Sequence, residues 1–128
     1  MDVFKTHGAF SWSELVTPDP DAARAFYTAL FGWGSKQMQM PGGTYTTFQV
    51  GDTSVAGMMK LPQGTDMAPG WGCYVTVDDV EATCKRAVEL GGKVLMPVTE
   101  LPAVGRMAVI QDPQGALISV ITYSMPGA

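Results

Sequence analysis

Histidine is almost missing from this sequence, cysteine is sparse and charge is scarce, and each shortage closes off a class of function. The two cysteines, Cys73 and Cys84, lack the CxxC spacing that a zinc or redox motif needs. Both read as small buried hydrophobes in a reducing compartment. Charged residues make up only 16% of the chain, the formal net charge is -4, and Lys and Arg nowhere cluster. A surface that tracks phosphates is therefore excluded, and nucleic acid with it. No apolar stretch approaches the length of a membrane span, and the start, "MDVFKTHGAFSW", has no basic end followed by an apolar run. The expectation is a cytoplasmic protein with no membrane partner. A Gly-rich phosphate loop after a strand and a nucleophile elbow are also absent, and no histidine is placed to activate either cysteine.

What the sequence has in quantity is apolar surface. Hydrophobic residues account for 46% of the 128. A chain of this length makes one domain with a real core, and the surplus suits a buried subunit interface or a greasy pocket.

The chain is also written twice. In "TPDPDAARAFYTALFGW", Asp19 can cap a helix, Pro20 suits its first position, and Ala23, Phe26, Tyr27 and Leu30 recur at helical spacing before Gly32. In "VTVDDVEATCKRAVELGGKV", Asp78 or Asp79 caps, Val80, Cys84, Ala87 and Leu90 line one face, and Gly91-Gly92 terminates. A shift of sixty positions lays Asp19 on Asp79, Ala22 on Ala82, Leu30 on Leu90, Gly32 on Gly92, Asp52 on Asp112 and Ala56 on Ala116. Such a period implies two copies of one supersecondary unit. Each copy has a strand, the helix, a short strand region (35 to 40; 93 to 96), a hairpin arm ("TYTTFQV"; "GRMAVIQ"), a turn and a last strand ("SVAGMMKL"; "ALISVIT"). The unit reads βαβββ. Module 1 covers about residues 8–61, a Pro/Gly-rich linker 62–70, and module 2 about 71–123, within a single domain 1–128.

The stretches "WSELVTPDPDAARAFYTALFGW", "YVTVDDVEATCKRAVELGGKV" and "GRMAVIQDPQGALISVI" resemble the vicinal oxygen chelate superfamily, which includes glyoxalase I, bleomycin-resistance proteins and extradiol dioxygenases. The resemblance implies an α+β fold in which two tandem βαβββ modules form a curled, cup-shaped mixed sheet with helices outside, assembled as a homodimer. It also implies that metal-dependent members take a divalent ion on four His or Glu ligands from the first and last strand of each module. Those positions fall here on Trp12, Met59, Gly72 and Ser119, and neighbours Met58, Lys60, Tyr74 and Ile118 do not repair the set. No metal ligands and no cofactor are expected, although an unorthodox divalent site stays open.

Strand alternation sorts the side chains by face. With Leu15 and Thr17 turned to the first helix, Trp12, Glu14 and Val16 face the cup. With Val75 and Val77 turned to the second, Gly72, Tyr74 and Thr76 face it. The last strands add Val55, Gly57, Met59, Leu117, Ser119 and Ile121. The arms add Met107, Val109 and Gln111, together with Tyr45, Thr47 and Gln49 or their neighbours. Such a lining suits a mostly apolar small molecule.

Glu14 is the carboxylate placed inside. It reads as a ligand anchor, a general acid or base, or a solvated rim residue. His7 reads as a surface residue, Arg106 as solvated or as a clamp for an anion, and Trp33 and Trp71 as plugs or stacking platforms.

Three functions follow. The first is a metal-independent small-molecule-binding protein whose ligand-binding residues are Trp12, Glu14, Met59, Tyr74, Ser119 and Met107. The second is an enzyme of the same fold, lyase, isomerase or dioxygenase-like, using Glu14 as a catalytic acid or base or a non-standard metal set including Glu14 and His7. The third is an interaction module whose cup is filled by its own side chains.

Overall fold

The computed structural model describes residues 1–40, 43–64, 68–101 and 104–124. The elements run β1 (Phe10–Thr17), α1 (Pro20–Phe31), β2 (Gly34–Met40), β3 (Gly43–Val50), β4 (Thr53–Lys60), β5 (Gly70–Thr76), α2 (Val80–Glu89), β6 (Lys93–Leu101), β7 (Gly105–Gln111) and β8 (Leu117–Tyr123). The doubled βαβββ order is the one read from the sequence. Strand β6 extends five residues beyond the expected 93 to 96. Residues 65–67 of the expected linker lie outside the described residues. Among the described residues no helix is long and apolar enough to cross a membrane.

The chain forms two compact units, Trp12–Gly72 and Met1–Ser11 with Cys73–Ala128. The first eleven residues thus fold with the second module. Backbone pairing holds them there: Gly8 N–H donates to Thr76 O and Thr76 N–H to Ala9 O, each at 2.8 Å. Thr76 Oγ1 donates to Val3 O at 2.6 Å, and the Phe4 ring meets Tyr123 edge-on.

Both helices start where their caps say. Asp19 Oδ1 accepts from Ala22 N–H at 3.1 Å, and Asp79 Oδ1 accepts from Glu81 and Ala82 N–H at 3.0 and 3.2 Å. These caps satisfy amides that the first helical turn leaves unpaired. Helix α1 stops at Gly32, whose φ of 71° is the left-handed conformation that glycine adopts without steric cost.

In the first unit the strand order is β2-β3-β4-β1, with β1 parallel to β4 and the other pairs antiparallel. Helix α1 covers one face, where Leu15, Phe48, Ala56 and Met58 form a core joined by Ala23, Tyr27 and Trp33. In the second unit the order is β5-β8-β7-β6, again with one parallel pair, and α2 covers a core of Val77, Val80, Cys84, Ala108 and Val120.

Some expected helix contacts are corrected. Phe26 and Leu30 are 59% and 58% exposed, because α1 turns Ala23 and Tyr27 to its sheet. Leu90 is likewise exposed, since it caps α2 beyond the last covered turn. Cys84 is buried as expected, and burial, reinforced by the Glu81 charge, pushes its thiol pKa up. Cys73 is exposed, lying among the outward residues of the first half of β5.

Candidate functional site

Register fixes which side chains share the helix-free face of the first unit. Glu14 pairs with Gly57 and Val16 with Met59 across β1 and β4; Thr47 pairs with Gly57, and Met38 with Tyr45. Alternation then places Trp12, Glu14, Val16, Tyr45, Thr47, Gly57, Met59 and Met38 on one face, opposite the α1 core. Of the two arm registers open to the sequence, the one bearing Tyr45 and Thr47 is realised. A bulge between Phe48 and Gln49 then breaks the ladder.

Three of these side chains form a hydrogen-bonded chain. Trp12 Nε1–H donates to the Tyr45 hydroxyl at 3.0 Å, and that hydroxyl donates to Glu14 Oε2 at 2.8 Å. Glu14 is only 9% exposed, so its carboxylate is no solvated rim group. An ionised acceptor shortens and strengthens such a bond, and the indole N–H polarises the hydroxyl further. The chain can receive a cation or hydrogen-bond donor, or relay a proton between ligand and carboxylate.

Gly57 is what makes room. A Cβ at this position would overlap the Tyr45 hydroxyl and ring carbon Cζ and lie 3.1 Å from Trp12 Nε1. The tyrosine tip therefore lies against bare backbone of β4.

The residues expected as ligand contacts divide between the units. Trp12, Glu14 and Met59 lie in the first, with Met59 40% exposed. Tyr74, Ser119 and Met107 lie in the second, on its helix-free face, where Tyr74 pairs with Ser119 and Met107 with Ile121. Tyr74 and Met107 are buried and Ser119 is half-buried.

The registers also correct the sixty-residue offset in the last strands. Glu14 and Tyr74 are equivalent, and their parallel partners are Gly57 and Ser119. The equivalent of Ser119 is thus Gly57, not Met59, because the repeat lengthens by two residues between helix and arm. The family's four ligand positions become Trp12, Gly57, Gly72 and Ser119, an indole, two glycines and one hydroxyl. Such a donor set does not fit a divalent ion. Among the described residues no three His, Cys, Asp or Glu side chains group to hold a metal.

The remaining candidates find structural partners. His7 Nδ1 accepts from Asp78 N–H at 2.9 Å, just ahead of α2. Arg106 is ion-paired with Glu81, and its Nε lies 2.9 Å from Glu100 Oε1, off the line of a hydrogen bond. These carboxylates raise its pKa further. Trp33 packs on Phe48, and Trp71 Nε1–H donates to the Tyr27 hydroxyl at 3.2 Å.

Tyr45 is the functional candidate the sequence left open. The signal was a tyrosine on an arm whose neighbouring strand carries an interior glycine.

Residues 9–120 match the family model described as Glyoxalase/Bleomycin resistance protein/Dioxygenase superfamily. CFP32 of Mycobacterium tuberculosis (strain CDC 1551 / Oshkosh), which carries a glyoxylase name, is 39% identical over 117 residues, 88% of this chain and 45% of that protein. Anthracycline biosynthesis protein DnrV of Streptomyces peucetius is 40% identical over 114 residues, 89% of this chain and 41% of that protein. The chain thus spans less than half the length of these curated relatives. Methylmalonyl-CoA epimerase from Mycobacterium tuberculosis shares the fold at a TM-score of 0.63 and 18% identity, over 89% of this chain and 86% of that one.

Proposed function

Because the chain belongs to the Glyoxalase/Bleomycin resistance protein/Dioxygenase superfamily, we propose that it binds a small, largely apolar or aromatic molecule without a metal, anchored by Glu14. The observation that carries this reading is the Trp12–Tyr45–Glu14 chain on the helix-free face of the first unit. On the same face, Met38 and Met59 are 45% and 40% exposed and offer apolar, adaptable contact. The donor set at the family's ligand positions supports the metal-free form.

The naming of one relative for anthracycline biosynthesis supplies a probe. An anthracycline joins a planar apolar ring system to an amino sugar, and its ammonium suits a buried carboxylate. Calorimetric titration with such a compound and with its aglycone tests the reading. Glu14→Gln should weaken the amine-bearing probe about tenfold or more, the worth of one charged hydrogen bond, and leave the aglycone nearly unaffected. Equal affinity of wild type and variant for both would remove Glu14 as the anchor.

One observation favours a second reading. Tyr45 gives Glu14 a titratable neighbour at 2.8 Å, a pairing that general acid–base catalysis can use. Under it Glu14→Gln abolishes turnover while ligand affinity persists.

The protein is further proposed to be a cytoplasmic homodimer. Its unpaired cysteines suit a reducing compartment. The exposed apolar side chains Phe26, Leu30 and Phe31 of α1 suit burial by a second copy. Light scattering should give twice the chain mass, and Phe26→Glu should halve it.

A further inference from the structure

We infer that Gly57 is a positioning residue: by lacking a Cβ it seats the Tyr45 hydroxyl between Trp12 and Glu14, and so determines which ligands the proposed site accepts.

A glycine in a strand interior weakens the strand and has to be explained. Its backbone does not require glycine, for Gly57 is absent from the positive-φ glycines, which include Gly51 and Gly105. Nor does the architecture require it. The equivalent residue of module 2 is Ser119, which carries a side chain while pairing with Tyr74 and Val109 as Gly57 pairs with Glu14 and Thr47. The equivalent of Tyr45 in that module is Met107, which has no hydroxyl to seat.

What distinguishes position 57 is the side chain above it. An added Cβ would overlap Tyr45 at its hydroxyl and Cζ and crowd the Trp12 indole nitrogen. These are the tip of a ring and the donor bonded to it, so an added Cβ pushes the hydroxyl off the place where it meets Trp12 and Glu14. Gly57 is itself buried while Tyr45 is half-buried, so the displacement falls on the ring and not on the β4 backbone.

The inference rests on the ligand-binding reading only for its last clause, and the experiment separates the two. A proton–nitrogen correlation spectrum should show one indole N–H signal each for Trp12, Trp33 and Trp71, and the signal lost in Trp12→Phe identifies Trp12. Gly57→Ala and Tyr45→Phe should each move the Trp12 signal upfield and leave Trp33 and Trp71 in place. An unmoved Trp12 signal in folded Gly57→Ala overturns the inference.

Thermal melting supplies a second measurement. Gly57→Ala should lower the midpoint by on the order of 5–10 °C, the effect of overpacking a buried site. The same change in a Tyr45→Ala background should cost much less, because the ring it strikes is gone and only the closer approach to Trp12 remains. If Gly57→Ala does not fold, refolding of the double variant supports the inference, and failure of the double variant overturns it. Titration with the anthracycline then bears on the last clause. A loss equal to that of Tyr45→Phe is expected, and undiminished affinity overturns the selective role. If wild type binds no probe, the binding proposal fails while the indole and melting results still decide whether Gly57 seats Tyr45.

Discussion

Replacing Tyr45 with phenylalanine removes one oxygen and keeps the ring, so its effect isolates the hydrogen-bonded chain. The lost oxygen donates at 2.8 Å to a carboxylate only 9% exposed and accepts from an indole N–H at 3.0 Å. A hydrogen bond to a charged group contributes about 1.5–3 kcal/mol and a neutral one about 1 kcal/mol. Part of this returns as both groups find other partners or water, leaving an expected destabilisation of roughly 2–3 kcal/mol. Urea denaturation followed by circular dichroism measures it. Glu14→Gln and the double variant complete a cycle that separates the pair from its surroundings. A coupling of about 1–2 kcal/mol is expected between Tyr45 and Glu14. A value within about 0.3 kcal/mol of zero would mean that the two act independently, and the account of Glu14 as a carboxylate held by Tyr45 would be wrong.

Phe48 is fully buried under α1, and Phe48→Ala should cost about 3–5 kcal/mol in the same denaturation assay. Asp79→Ala removes two accepting contacts at the start of α2 and should cost about 1 kcal/mol, with helix content otherwise kept. A thiol reagent at neutral pH should label Cys73 rapidly and Cys84 only on unfolding, as mass spectrometry of the labelled chain will show. The raised pKa of Cys84 fixes a sign as well: the unfolded thiol ionises near the ordinary value of 9.0 while the folded one holds its proton. This contribution is constant below that pH and declines as pH rises through it, so denaturation midpoints in Cys84→Ala should fall less between pH 8 and 10 than in wild type.

The sequence by itself determined the elements and their doubling. Asp19 and Asp79 cap because a carboxylate placed before a helical run can meet its free amides, and Gly32 ends its helix because glycine adopts the left-handed turn without steric cost. Those are local rules, and local spacing expresses them. Strand alternation likewise places Trp12 and Glu14 on one face. What local spacing left undetermined was everything set by pairing across the sheet. The two-residue lengthening between helix and arm moved the equivalent of Ser119 from Met59 to Gly57, since register follows hydrogen-bond ladders and bulges, not sequence offset. The rotation of α1 that leaves Phe26 exposed was set by how closely Ala23 and Tyr27 approach the sheet. The meeting of Trp12, Tyr45 and Glu14 over a missing Cβ joins residues from three strands, and only the tertiary structure could bring them within hydrogen-bonding distance.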